Sequence, residues 1–236
     1  MRFDDRVIVL TGVAREGQVG EAVARAFAER GAIVALLDRE AEALAARAAS
    51  LVAGGYRAFA FPCDLTDPAA VEVVARTISA AHGGRVDALV NTAGGFAMSG
   101  SLAQSDVALW HKMIAINLTT AYIATRAFLP LIRAAQGSVI YFASEAALPG
   151  GRAAEMSAYT AAKSGVVALM RAVAQEERDH GVRSNALAPG AIRTAANVEA
   201  MGDKTHYVER EEVADTILFL VSNRARAISG QILQLV

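Results

Sequence analysis

Arg6-Val7-Ile8-Val9-Leu10-Thr11-Gly12 is a continuous apolar run that ends in glycine. Without polar alternation, it reads as a central strand of a parallel sheet covered on both faces. The stretch Val13-Ala14-Arg15-Glu16-Gly17-Gln18-Val19-Gly20 follows as a glycine-rich turn. Val23, Ala24 and Phe27 then point inward at helical spacing, and Gly31 stops the helix. Ala32-Ile33-Val34-Ala35-Leu36-Leu37-Asp38 reads as a second strand, so the segment is a βαβ unit closing on a carboxylate. Glycine belongs in such a turn because a dinucleotide pyrophosphate needs bare backbone N–H groups and a helix N-terminus whose dipole favours anions. The expected backbone contacts are Gly12, Gly17, Val19 and Gly20. Asp38 can accept hydrogen bonds from both adenosine ribose hydroxyls, whereas a 2′-phosphate would meet charge repulsion, and this predicts NAD over NADP. Arg15 and Arg39 argue the other way unless both are simply solvated.

The 236 residues, 54% hydrophobic and 20% charged, are enough for one substantial core, and one domain over 1–236 is expected. A net charge of -1 and a pI near 6.4 leave no basic face for nucleic acid. Cys63 has no partner for a disulfide and reads as a small buried apolar residue. No signal peptide, apolar run of membrane-spanning length or metal-ligand spacing is read, so the expectation is a cytoplasmic enzyme with neither membrane nor metal.

Further along, a helix from about Glu40 to Val52 and a strand from Arg57 to Phe61 complete a third unit. Asp64 at that strand's carboxyl end is placed to reach an adenine amino group, with Leu65 beside it, and Thr66 or Asp67 caps the next helix ahead of Pro68. A strand from Asp87 to Val90 leads into Asn91-Thr92-Ala93-Gly94-Gly95, where small residues again admit a ligand. Ser105 to Arg133 reads as one long helix in which Asn117 is the odd polar residue. Gly137 to Ser144 reads as a buried strand ending in a hydroxyl. Tyr159 and Lys163 stand one helical turn apart on one face. A phenol titrates near pH ~10, so proton transfer near neutrality takes roughly 4 kcal/mol of differential stabilisation of the phenolate, much of which a fixed cation can supply. The strand Val182 to Ala188 turns at Pro189-Gly190. Ala195 to Val208, with an exposed His206, follows; then come a helix from Glu211 to Leu220 and a last strand from Gly230 to Val236.

Thr11-Gly12 with its following glycines, Asp64-Leu65, Asn91-Thr92-Ala93-Gly94, Asn117, Ser144, Tyr159-x-x-x-Lys163 and Asn185-x-x-x-Pro189-Gly190-x-Ile192-x-Thr194 occur in one order. The chain resembles the short-chain dehydrogenase/reductase family from its first strand to its end. The resemblance implies a Rossmann-like, doubly wound parallel α/β sheet of about seven strands with helices on both faces. It also implies hydride transfer between a nicotinamide cofactor and a small alcohol or ketone. In that family's pattern Tyr159 is the acid/base, Lys163 holds the phenolate and binds nicotinamide ribose, and Ser144 orients the substrate oxygen. Asn117 holds a water linking Lys163 to solvent. Asn91, Ala93 and Gly94 line the cofactor, Pro189, Gly190, Ile192 and Thr194 meet its nicotinamide end, and Ala195 to Val208 is a short substrate lid. Relatives are usually tetramers built through two long helices, and a homotetramer is expected. The glycine-rich turn departs from the pattern by being longer than TGxxxGxG, with Gln18 where a middle glycine would stand. Phe96, Met98, Leu148, Met156 and Met201 suggest an apolar pocket. An NADPH-dependent 3-oxoacyl thioester reductase and a non-catalytic nucleotide sensor are the alternatives.

Overall fold

The computed structural model describes residues 1–236. Its seven strands form one parallel sheet in the order β3-β2-β1-β4-β5-β6-β7. They are β1 (Val7–Thr11), β2 (Ile33–Asp38), β3 (Arg57–Pro62), β4 (Ala88–Asn91), β5 (Ser138–Phe142), β6 (Arg183–Pro189) and β7 (Ile232–Leu235). The apolar runs are explained by the two cores they serve. Ile8 and Leu10 join one buried cluster and Val7 and Val9 the other, and in β2 Val34 and Leu36 oppose Ala35 and Leu37.

Helices α1 (Val19–Ala28), α2 (Ala41–Ala53) and α8 (Arg210–Val221) cover the first face. Helices α3 (Pro68–Ala81), α5 (Thr120–Ala135) and α6 (Ser157–Glu176) cover the second, α4 (Val107–Ile114) packs on α6, and α7 (Ala195–Met201) is the short helix after β6. Asp67 caps α3 by accepting from the Ala69 N–H at 2.9 Å, with Pro68 in the first turn, which settles the choice between Thr66 and Asp67. The strand order reverses between β1 and β4, and the crevice in which ligands of such sheets bind lies outside their carboxyl ends.

Two expectations need correction. The helix anticipated from Ser105 to Arg133 begins at Val107 and is interrupted: Ala115–Thr119 forms a π turn between α4 and α5. Its cause is Asn117, whose side-chain amide takes the Met113 carbonyl at 3.1 Å and so competes with the α-helical ladder. The same stretch, Val107–Ala135, contains a window with a mean hydropathy of 1.2 and is long and apolar enough to cross a membrane by length and composition, whereas no such run is expected from the sequence. It serves as a core helix: Met113, Ile123, Ala124, Phe128 and Ile132 are buried, and α5 packs on α3.

Candidate active site

The crevice is built first from backbone. Gly12 ends β1 at φ +72°, and a Cβ there would lie 2.5 Å from the Cα and 2.6 Å from the N of Ala93, so the turns after β1 and β4 touch main chain to main chain. The contact is fastened by Thr92, whose hydroxyl donates to the Thr11 carbonyl, and by the Ala93 N–H, which donates to Thr11 Oγ1 at 3.2 Å. Gly20 is glycine for a similar reason, since its Cβ would sit 2.6 Å from the Gly12 carbonyl oxygen. Val19 and Gly20 open α1, and Gln18 before them provides no side-chain cap, so their N–H groups start the helix uncapped. The Gly17 N–H differs: it donates to Glu21 Oε2 at 2.6 Å.

Asp38, at the end of β2, accepts from the Ala14 N–H at 3.0 Å and the Glu40 N–H at 3.3 Å. Each carboxylate oxygen keeps a lone pair for a further donor. Arg39 pairs with Glu40 at 3.2 Å, while Arg15 is exposed and makes no ion pair. Asp64 closes a local turn by accepting from the N–H (2.8 Å) and hydroxyl (2.7 Å) of Thr66, which hold its carboxyl below the usual range. Leu65 behind it is buried. Asn91 is buried under the crevice, with its amide donating to Thr125 at 3.3 Å and its Oδ1 unpartnered.

The second half of the site is made of side chains. Asn117 is buried, and its carboxamide grips the turn after β4 from both sides, accepting from the Gly95 N–H at 3.1 Å and donating to the Gly95 carbonyl at 3.0 Å. Gly94 fits between Asn117 and Lys163: a Cβ there would lie 2.6 Å from Asn117 Oδ1 and 3.5 Å from Lys163 Nζ. Lys163 is buried on α6 and donates to the Phe142 carbonyl at 2.9 Å. Burial pushes its ammonium down from 10.5 to about 8. The Tyr159 ring lies 5.7 Å from Nζ, and Phe96 meets its face edge-on at 5.1 Å between centroids. The Tyr159 phenol is pushed above its ordinary value by burial, with a smaller opposing effect from the Ser144 side chain. In the protein alone, desolvation sets the direction. Ser144 Oγ accepts from the Ala146 N–H at 3.3 Å, which leaves its O–H free to donate.

Pro189 and Gly190 end β6, Ile192 bridges to Val208, and Thr194 caps α7 by accepting from the Asn197 N–H at 3.2 Å. The following segment is tied down: the Tyr207 hydroxyl donates to the carbonyls of Asn197 (3.1 Å) and Gly202 (2.9 Å). His206 points to solvent. Glu145 was passed over in the sequence. Its carboxylate has no ionic partner and lies 3.2 Å from where a Gly190 Cβ would stand, so it faces the same edge as Ser144. An acidic residue directly after the hydroxyl that follows β5 is the available signal.

The residues present fit a dinucleotide: a glycine cradle and an uncapped helix start at the switch point, an acid at the end of β2, and a buried ammonium beside a half-buried phenol across the crevice. Residues 12–235 match the family model described as enoyl-(acyl carrier protein) reductase. The chain is 35% identical to the meso-2,3-butanediol dehydrogenase of Serratia marcescens, over 98% of this chain and 92% of that protein. It is 32% identical to 2-(S)-hydroxypropyl-CoM dehydrogenase 3 of Xanthobacter autotrophicus, over 97% and 94%. A solved short-chain type dehydrogenase/reductase from Mycobacterium ulcerans superposes with a TM-score of 0.91 at 27% identity, covering all of this chain and 90% of that one.

Proposed function

The chain belongs to the short-chain dehydrogenase/reductase family, and from that premise we propose that it is an NAD-dependent oxidoreductase interconverting a secondary alcohol and a ketone. The observation that carries the reading is the convergence of Ser144, Tyr159 and Lys163 beside the β1–β4 crevice. Residues 1–236 act as one NAD(P)-binding domain. Gly12, Val19, Gly20 and the Ala93-Gly94 backbone accept the dinucleotide, with Asp38 on adenosine ribose, Asp64-Leu65 and Asn91 toward the adenine half, and Pro189, Gly190, Ile192 and Thr194 at the nicotinamide end. The bound cofactor supplies the acceptor for hydride leaving the carbinol carbon.

Tyr159, as phenolate, takes the hydroxyl proton in the oxidising direction, and Ser144 donates to the same oxygen to hold it in place. Lys163 favours the phenolate by its charge. Asn117 fixes the turn beside Lys163, where a water held by it links Lys163 to solvent and returns the proton. Because the phenol starts above its ordinary value, alcohol oxidation is favoured by raising the pH.

The two relatives differ in what surrounds the carbinol but share, by name, a secondary alcohol. Phe96, exposed against the Tyr159 ring, and the unpaired Glu145 favour an uncharged substrate with one apolar substituent over an anionic acyl thioester. Arg15 is the feature that supports NADP instead, and Asp38 outweighs it because it sits at the end of β2 itself. Exposed Trp110 and Tyr122 on the long helix support assembly as a homotetramer.

Initial rates with NADH and NADPH over small ketones, hydroxyketones, sugars and 3-oxoacyl thioesters test the reading. Turnover of ketones or hydroxyketones with a lower KM for NADH is expected. A clear preference for NADPH overturns the role of Asp38, and turnover confined to thioesters overturns the substrate class.

A further inference from the structure

The lengthened glycine-rich turn is not anchored as the rest of the crevice is. Gly17 has φ +69°, and the one atom near a Cβ built on it is a side-chain nitrogen of Arg210 at 3.7 Å, so the space beside this end of the turn is open. What holds it is a chain of charged bonds. The Gly17 N–H donates to Glu21 Oε2 at 2.6 Å, the other oxygen of Glu21 accepts from Arg47 on α2, and the second amino group of Arg47 reaches Glu16 at 3.2 Å. Glu16 and Gly17 are thus both tied to one guanidinium. The link is sheltered: the Arg47 and Glu21 side chains are 16% and 18% exposed, and Arg47 Nε is buried without a partner. Screening by salt is weak in such a position, and removing one partner strands the other away from water.

We propose that Arg47 and Glu21 are positioning residues for dinucleotide binding, holding the long turn back against α2 so that the uncapped N–H groups of Val19 and Gly20 stay open to the pyrophosphate. This rests on the reading of the crevice as a dinucleotide site. Arg47 has a second effect. Glu21 lies in the first turn of α1, where a bare carboxylate would compete with and repel a phosphate, and the guanidinium neutralises it. Removing Arg47 therefore does more harm than removing both partners.

The test is NADH affinity, by calorimetry on the full chain, for wild type, Arg47→Ala, Arg47→Lys, Glu21→Ala and the Arg47→Ala/Glu21→Ala double variant, alongside kcat and circular dichroism. Arg47→Ala is expected to raise Kd about ten-fold with kcat at saturating cofactor within about two-fold, the double variant to recover part of the loss, and Arg47→Lys most of it. A role in folding alone would lower melting temperature without this pattern. Wild-type affinity in a folded Arg47→Ala, or tighter binding by Glu21→Ala than by wild type, overturns the latch. A wild-type chain that binds neither NADH nor NADPH overturns the dinucleotide reading itself and the latch with it.

Discussion

The two sides of the crevice are made of different materials. Around β1, β2 and β4 main chain comes hard against main chain, with glycines at positions where a Cβ would come within 2.5 to 2.6 Å of neighbouring backbone. Around β5, α6 and the π turn they are side chains, with Asn117 and Lys163 buried and the titrating groups displaced from their ordinary values. The first side is suited to a ligand recognised by its phosphates and ribose, because rigid N–H groups need no reorganisation on binding. The second is suited to moving a proton, because burial makes the charge of each group sensitive to what binds beside it. A change on the first side should therefore damage structure and affinity together, and a change on the second should damage turnover alone.

Tyr159→Phe is the sharpest way to break this division. It deletes one oxygen and keeps the ring against Phe96, so kcat should fall about 10³-fold while NADH affinity stays at the wild-type value. Activity close to wild type would remove Tyr159 as the acid/base. Gly12→Ala attacks the other side: a methyl group must separate the turns after β1 and β4 at a positive φ, costing about 2–4 kcal/mol of stability. A melting temperature within about a degree of wild type would show that the backbone contact gives way easily.

Lys163→Met tests the side-chain half by stability. The folded protein binds the Lys163 proton with a pKa of about 8, against 10.5 for the free side chain. Below pH 8 the fold must hold an ammonium that burial disfavours. Between about pH 8 and 10.5 the unfolded chain binds more protons than the folded one, so this contribution makes stability rise with pH. Replacing the ammonium with an apolar side chain should therefore stabilise the cofactor-free protein at pH 7 by about 1–3 kcal/mol, with the gain fading toward pH 10.5, while turnover is lost. Denaturant titrations at the two pH values check it. A less stable variant at pH 7 would mean that the bond from Lys163 to the Phe142 carbonyl outweighs the burial.

Long apolar runs made the strands legible. Val7 through Thr11 and Ile33 through Leu37 carry no polar break, and a strand packed on both faces imposes that pattern. Asn117 was legible as an exception but its effect was not, because the π turn arises when its amide finds both Met113 in its own helix and Gly95 in another segment. Glu145 escaped notice for the same kind of reason: only the adjacency of β5 and β6 brings it to Gly190.

The sequence by itself determined the βαβ order, the chemistry-bearing residue types and the one-turn spacing of Tyr159 and Lys163, since these depend on local periodicity and composition. Tertiary structure alone decided which groups are short of solvent. It set the direction in which the phenol and the ammonium are displaced, and it joined Arg47 to Glu21, because burial and long-range pairing depend on segments that are distant along the chain.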